Sequence, residues 1–372
     1  MHLRNSRVLS LLTGLLLLTV ITQAQTPQNN TSQEPAQPPP PLRSPAQTPP
    51  SGQQPQNAPA AQPGQAPPAQ TNPGDQTPAE PQAQQPSSDS SVFVFKKEVN
   101  EVVLHATVFD DKRHMVMDLQ RNAFTVFENN QPQAITSFRR EDIPVAMGIV
   151  IDNSGSMREK RDKVNKAALN LVRASNTRDE VFVVNFNDEY YLDQDFTSNI
   201  AKLREALEKV EARGGTALYD AVVASADQLK QSKLQKKVLF VVTDGEDNAS
   251  RESLEEAVKR LQEEDGPTVY AIGLLGEEKA RRARRALETL ADRTGGIAFL
   301  PKTLGDVDEI SSTVAHDIRS QYTIGYKPTT PKSVGGYRTI RVEAKAGGHG
   351  KLTVRTRSGY YAGQENASGG SR

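Results

Sequence analysis

Between residues 144 and 320, short unbroken apolar runs alternate with amphipathic stretches of helical period. The runs at 145–152, 181–186, 238–243, 268–274 and 297–300 are apolar on both faces of an extended chain, as strands covered on both sides must be. The stretches 158–174, 200–212, 217–231, 251–264, 277–293 and 304–320 place their apolar residues at helical spacing. In the first of them these are Val164, Ala167, Ala168, Leu171 and Val172. Residues 190–196 read as a short edge strand, and Gly295-Gly296 stops the fifth helix. Strand and helix in alternation predict an α/β fold, a doubly wound, mostly parallel sheet with helices on both faces.

The segments on either side have the period of strands instead. Residues 92–95, 102–109, 124–128 and 134–138 alternate before the α/β region, with turns at 110–112 and 129–132. Residues 322–326, 338–344 and 351–357 alternate after it. Neither flank alone offers enough apolar surface for a good core. The two are therefore expected to pair into one small antiparallel β-sandwich with the α/β region inserted; two separate β modules are the alternative. The expected division is 91–142 and 322–362 for the β module, 143–321 for the α/β domain, and 363–372 for a frayed tail.

The first 90 residues have another character. Residues 1–24 carry a basic start (His2, Arg4, Arg7), a leucine-rich apolar run over 8–21 and small residues at a cleavage spacing, which predicts a secretory signal. At about 14 residues the run is short for a membrane span, which needs ~20; an uncleaved anchor is the alternative. Residues 25–90 hold 18 of the 24 prolines, among Gln, Ala, Ser and Thr, with Leu42 the one bulky apolar side chain. Such a tract buries too little to offset chain entropy and reads as a disordered Pro/Gln-rich linker. The expectation is an exported chain (periplasmic, cell-surface or secreted) with no membrane span once the signal is removed. The sequence has no cysteine, so disulfides, thiolate metal sites and cysteine catalysis are excluded. The 45 basic side chains balance 45 acidic ones without a basic stripe, which argues against nucleic acid as a partner.

Chemistry concentrates at three places. Asp152-Asn153-Ser154-Gly155-Ser156 follows the run 145–151 directly, Thr243-Asp244-Gly245 follows 238–242, and Gly214-Gly215-Thr216 precedes a helix. Parallel strands all leave a sheet at the same edge, so Asp152 and Asp244 can meet on one rim, where open α/β sheets place ligands. Two carboxylates and three hydroxyls are hard oxygen donors, suited to Mg²⁺, Mn²⁺ or Ca²⁺ and poorly to Zn²⁺ or Cu²⁺.

Asp-x-Ser-x-Ser, a Thr after Gly-Gly and a later Thr-Asp-Gly resemble the metal-ion-dependent adhesion site of von Willebrand factor A domains. The strand–helix alternation over about 145–320 matches that family too, and the flanking β segments and signal resemble, more loosely, exported bacterial proteins related to it. The resemblance implies that Ser154, Ser156 and Thr216 coordinate the ion while Asp152 and Asp244 bind it directly or through water. It also implies an open coordination position that an acidic side chain of a partner protein fills, and in some members a shift of the last helix. The function expected is a non-enzymatic adhesion or interaction module. The alternative is a structural or assembly protein of the cell envelope in which metal only braces the fold.

Other candidates are weaker. Asp152 as a phosphoryl-transfer nucleophile lacks a second acid or lysine nearby in the sequence, and Ser154 as a triad nucleophile fares no better. His2, His105, His114, His316 and His349 are scattered without ligand spacing. Glu246 and Asp247 either tune cation affinity or form a solvated loop. The charge runs 281–285 and 255–260 read as solvated helix faces.

Overall fold

The computed structural model describes residues 101–174, 176–209, 211–275 and 280–363. The expected signal 1–24, linker 25–90, strand 92–95 and tail beyond 363 lie outside the described residues, as does the expected helix start at 277. Four strands come first: β1 (Val102–Phe109), β2 (Phe124–Glu128), β3 (Gln131–Gln133) and β4 (Ile135–Arg139). Next follow β5 (Val145–Asp152), α1 (Arg161–Arg173), β6 (Glu180–Phe186), β7 (Tyr190–Thr197), α2 (Ile200–Glu208) and α3 (Leu218–Leu229). The α/β region continues with β8 (Lys236–Thr243), α4 (Leu254–Leu261), β9 (Thr268–Gly273), α5 (Ala280–Thr294), β10 (Ile297–Phe299) and α6 (Val307–Arg319). Then come β11 (Tyr322–Tyr326), β12 (Gly336–Ala344), β13 (Thr353–Arg355) and β14 (Gly359–Ala362). Among the described residues no helix is long and apolar enough to cross a membrane.

The central sheet has six strands in the order β10-β9-β8-β5-β6-β7. All neighbours are parallel except the edge strand β7, which runs antiparallel to β6. Alternate residues of β5 feed two cores. Val145, Met147, Ile149 and Ile151 pack with Val164 and Leu171 of α1, Leu203 of α2 and Ile318 of α6. Ala146 and Val150 face the other way, with Val222 of α3, Leu261 of α4 and Leu287 of α5. This two-sided burial is why the β5 run is apolar throughout. Gly148 in its middle leaves room for an aromatic neighbour: a Cβ there would stand 2.4 Å from Phe182 Cζ and 2.7 Å from Leu239 Cδ2. The helix expected from 158 begins only at Arg161, because Gly155–Met157 form a 3₁₀ turn first.

The flanking strands make two four-stranded antiparallel sheets, β13-β1-β11-β4 and β14-β12-β2-β3, each mixing segments from before and after the α/β region. Leu104, Ala106, Val126, Ile324, Val342 and Tyr360 share one core between them. Buried Glu128 accepts hydrogen bonds from Tyr326 (2.6 Å), Tyr360 (2.8 Å) and Arg338 (3.2 Å), tying the two sheets together by a paired charge.

Two details differ from the sequence-based expectation. The turn after β2 is the dipeptide Asn129-Asn130, at φ 48° and 64°, and β3 with Pro132 folds back on β2. Both turn residues lie in the left-handed region that a two-residue hairpin needs and that Asn tolerates. The next strand, β4, crosses to the other sheet and pairs with β11. The short β14 had no counterpart in the sequence reading; it pairs with β12 through register Gly336↔Ala362 to Thr339↔Gly359.

Candidate functional site

Asp152 ends β5, and Asp244 follows the end of the adjacent strand β8. From β5 the sheet grows through β6 on one side and β8 on the other, so the chain departs in opposite directions there, the point at which open α/β sheets place their ligands. Asp152 is fully buried. Its Oδ1 accepts the Ser154 N–H at 2.7 Å, and its Oδ2 accepts the Thr243 hydroxyl at 2.6 Å. Burial raises its carboxyl above the usual carboxylate range, the charge of Asp244 adds to that, and the Thr243 and Ser154 hydrogen bonds oppose it.

Beyond Asp152 the hydroxyls form a chain. Ser154 Oγ lies 3.2 Å from Ser156 Oγ, and Ser156 Oγ donates to Asp244 Oδ1 at 2.7 Å. The other Asp244 oxygen pairs with the Lys160 ammonium. The Asp244 side chain is completely covered, whereas that of Lys160 is 28% exposed.

The loop bearing Thr216 is laced to both strand ends. Gly155 N donates to Gly214 O (3.2 Å) and Arg213 N to Asn153 O (2.7 Å). Thr216 is buried, its N–H donating to Asn248 Oδ1 (2.9 Å) and its carbonyl accepting the Asn248 N–H (3.0 Å). Its hydroxyl faces the glycine after Asp244: a Cβ built on Gly245 would stand 3.4 Å from Thr216 Oγ1. The Gly-Gly pair has a steric reason. Gly214 has φ +74°, and a Cβ on it would fall 2.1 Å from Asp188 Oδ2. Asp188, in the β6–β7 turn, accepts the Gly215 N–H at 2.7 Å.

The structure thus brings Asp152, Ser154, Ser156 and Asp244 into one hydrogen-bonded cluster and sets Thr216 beside it. Sequence reasoning missed Lys160, Asp188 and Asn248, and gave Asn153 no role within its motif. Lys160 resembles any lysine on the polar face of an amphipathic helix, and Asp188 lies in a run of polar residues. Both Asn153 amide atoms are buried and, among the described residues, meet no hydrogen-bond partner. Asp247 turns out to be committed to the scaffold: it accepts Tyr219 N–H (2.9 Å) at the start of α3 and the Ser250 hydroxyl (2.6 Å). Glu246 instead pairs with exposed Arg282 at 3.4 Å. His105 stays away from the rim, its Nδ1 3.3 Å from Thr323 Oγ1. Burial first, then the charge of Lys236, lower its pKa to about 3.

In donor type the rim fits a hard divalent cation: two carboxylates and three hydroxyls, with a positive charge already lodged on one carboxylate. Among the described residues no three His, Cys, Asp or Glu side chains cluster as a metal site. The rim supplies its oxygens chiefly from hydroxyls, so it carries less negative charge than a carboxylate cage.

A doubly wound sheet with Asp-x-Ser-x-Ser leaving its inner strand β5 defines a class of α/β domain. Residues 147–246 match the von Willebrand factor type A domain, and the chain carries a domain of that family. Domains of this family commonly bind divalent cations. Calcium-activated chloride channel regulator 3A-1 of Mus musculus is 32% identical over 162 residues, which cover 41% of this chain and 17% of that protein. A Synechocystis protein of uncharacterized role is 28% identical over 108 residues, 28% of this chain and 26% of its own length. The chain therefore spans about a quarter or less of the curated relatives it matches. A solved von Willebrand factor type A structure from Catenulispora acidiphila, 14% identical, covers 72% of this chain and 74% of its own, with a TM-score of 0.43.

Proposed function

We propose that this chain is an exported, non-catalytic interaction module that grips a partner protein through a divalent cation at the β5–β8 rim. The observation that carries the reading is the convergence of Asp152, Ser154, Ser156 and Asp244, with Thr216 alongside, from three separate stretches of sequence. When bound, Mg²⁺, Mn²⁺ or Ca²⁺ would supply an electrophilic point that neutral hydroxyls leave short of negative charge, to which an acidic partner side chain is drawn. Ser154, Ser156 and Thr216 would hold the ion, with Asp152 and Asp244 balancing its charge. Asp152 also fixes the loop, because one of its oxygens holds the Ser154 backbone and the other the end of β8. A binding role suits these groups better than catalysis: both Asp152 oxygens are engaged by neighbours, and Ser154 Oγ meets another serine rather than a histidine.

Calorimetric titration of Mn²⁺ into the full chain tests the site. Wild type is expected to bind one ion, and Asp152→Ala and Asp244→Ala none, with far-ultraviolet circular dichroism retained. Partner capture from envelope extract should then vanish in excess chelator. Capture that persists unchanged in chelator would reject the cation-mediated mechanism. Loss of melting temperature in chelator with capture intact would favour the reading in which metal only braces the fold.

A further inference from the structure

Three basic side chains follow the Asp-x-Ser-x-Ser loop: Arg158 and Lys160 in the turn, and Arg161 opening α1. Two of them are committed elsewhere. Arg158 donates to Ala212 O at 3.4 Å, and buried Arg161 donates to Leu207 O at 2.6 Å and Asn185 Oδ1 at 3.3 Å. The third, Lys160, reaches back over the loop to Asp244. Its backbone is pinned on both sides, its N–H donating to Met157 O (2.9 Å) and its carbonyl accepting the Val164 N–H (3.1 Å). Only the side chain can move, and its partial exposure gives it a way out to solvent. The carboxylate it occupies has no such freedom: Asp244 is covered and held on its other oxygen by Ser156.

We propose that Lys160 is a tethered counter-cation of this site, which a divalent ion must displace from Asp244 and which a monovalent ion cannot. The proposal rests on the cation-binding reading above. A cation held at the rim would neutralise the same Asp244 carboxylate as the Lys160 ammonium, so each would weaken the hold of the other. The ammonium is covalently attached a few ångströms away, which gives it a high effective concentration. Sodium or potassium brings the same single charge without the tether and loses that competition. A divalent ion brings twice the charge and can also engage the hydroxyls of Ser154, Ser156 and Thr216. Lys160 therefore lowers affinity for every cation but screens out the abundant monovalent ones. It also keeps two nearby buried carboxylates from facing each other unbalanced in the metal-free domain. Once displaced, the partly exposed ammonium would be free to meet an acidic oxygen of a partner.

Calorimetric titration of Mn²⁺ into wild type, Lys160→Met, Lys160→Gln and Asp152→Ala, each as the full chain, tests this. Both Lys160 variants should bind Mn²⁺ about tenfold more tightly than wild type, the equivalent of one partly buried ion pair. Their affinity should fall further than that of wild type when potassium chloride is raised at constant ionic strength against a tetraalkylammonium salt. Equal or weaker binding in both variants would overturn the proposal while leaving the cation site intact. If wild type and both variants bind no Mn²⁺, the site reading fails and the proposal falls with it. If a variant melts early in chelator, restoration of its melting temperature by Mn²⁺ supports displacement, and failure to restore it overturns the idea.

Discussion

Asp317 offers the most decisive test of how the two halves of this chain are joined. It lies on α6 with its side chain fully buried. Its Oδ1 accepts the Thr107 hydroxyl of β1 at 3.1 Å. Its Oδ2 accepts Arg355 Nη2 of β13 at 2.5 Å and the hydroxyl of Tyr270 of β9. One carboxylate thus holds the sandwich and the central sheet to the last helix. Burial first, then the charge of Asp317, push the Tyr270 hydroxyl far above its ordinary range, so it remains a donor. Asp317→Ala leaves the Tyr270 phenol and the Thr107 hydroxyl without their acceptor, and strips the Arg355 guanidinium of its counter-charge, leaving it only the neutral acceptors Gly295 O (3.3 Å) and Thr107 Oγ1 (3.2 Å). Removing one partner of a buried pair costs about 3–5 kcal/mol. Arg355 keeps 21% of its side chain exposed and can recover some hydration, which places the expected loss near 3 kcal/mol. That is a large share of a typical stability of about 5–15 kcal/mol. Urea unfolding followed by circular dichroism should show a lower midpoint with an unchanged slope. Adding Arg355→Met should recover about 1–2 kcal/mol, because the stranded charge is then gone. A loss below about 1 kcal/mol, or strict additivity in the double variant, would refute the view that this carboxylate joins the two regions.

Other positions give independent checks. Gly214→Ala forces a side chain into a left-handed backbone and against Asp188; it should cost about 1–3 kcal/mol and weaken Mn²⁺ binding, both read by melting with and without the ion. Ser253 closes a capping box with Glu256 at the start of α4, so Ser253→Ala should lose about 1 kcal/mol in a urea titration and leave Mn²⁺ affinity alone. His105 is held neutral by the fold, with a pKa near 3 against 6.5 when unfolded, so the unfolded chain takes up the extra proton between those values. Stability should therefore fall as pH drops below 6.5, by up to about 1.4 kcal/mol per pH unit from this group, and His105→Gln should flatten that slope. An unaltered slope between pH 6 and 4 would dismiss His105 as the cause.

The parts of this fold that could be read from sequence are those where one physical demand acts on every residue of a segment. Strands β5 and β8 are covered on both faces, so their apolar runs marked their carboxyl ends and, with them, the placement of Asp152 and Asp244; β8 starts two residues early, at Lys236, where lysines hide it from an apolar pattern. Helix α4 begins at Leu254, three residues after the expected start at 251, because the Ser253–Glu256 capping box sets its first turn. The sandwich was harder because its strands are short and their partners remote. Asn129-Asn130 lacks the glycine that usually marks a two-residue hairpin, so the sequence pattern hides β3 within the turn 129–132 and makes β4 look like the partner of β2. Arg338 and Glu128 look like solvent-facing charges in alternating strands, yet each meets its partner in the core. Lys160 was illegible for a related reason. Its significance depends on Asp244, 84 residues away, and nothing in the local pattern distinguishes it from Arg158 or Lys163.

The interleaving of the two sandwich sheets has a consequence for how the chain assembles. Val102 pairs with Tyr326 and Phe109 with Thr353, so β1 cannot complete its ladder until more than two hundred further residues have been made. During synthesis the intervening α/β region can condense first, from neighbours near in sequence, while β1 to β4 wait with bare edges. That condensation draws the ends of β4 and α6 together and shortens the loop that β1 and β11 must close. The insert thus acts as the clasp for the layer that encloses its own ends. Damage to the α/β core, for instance at Gly148, should appear as slow or failed closure of strands that Gly148 never touches.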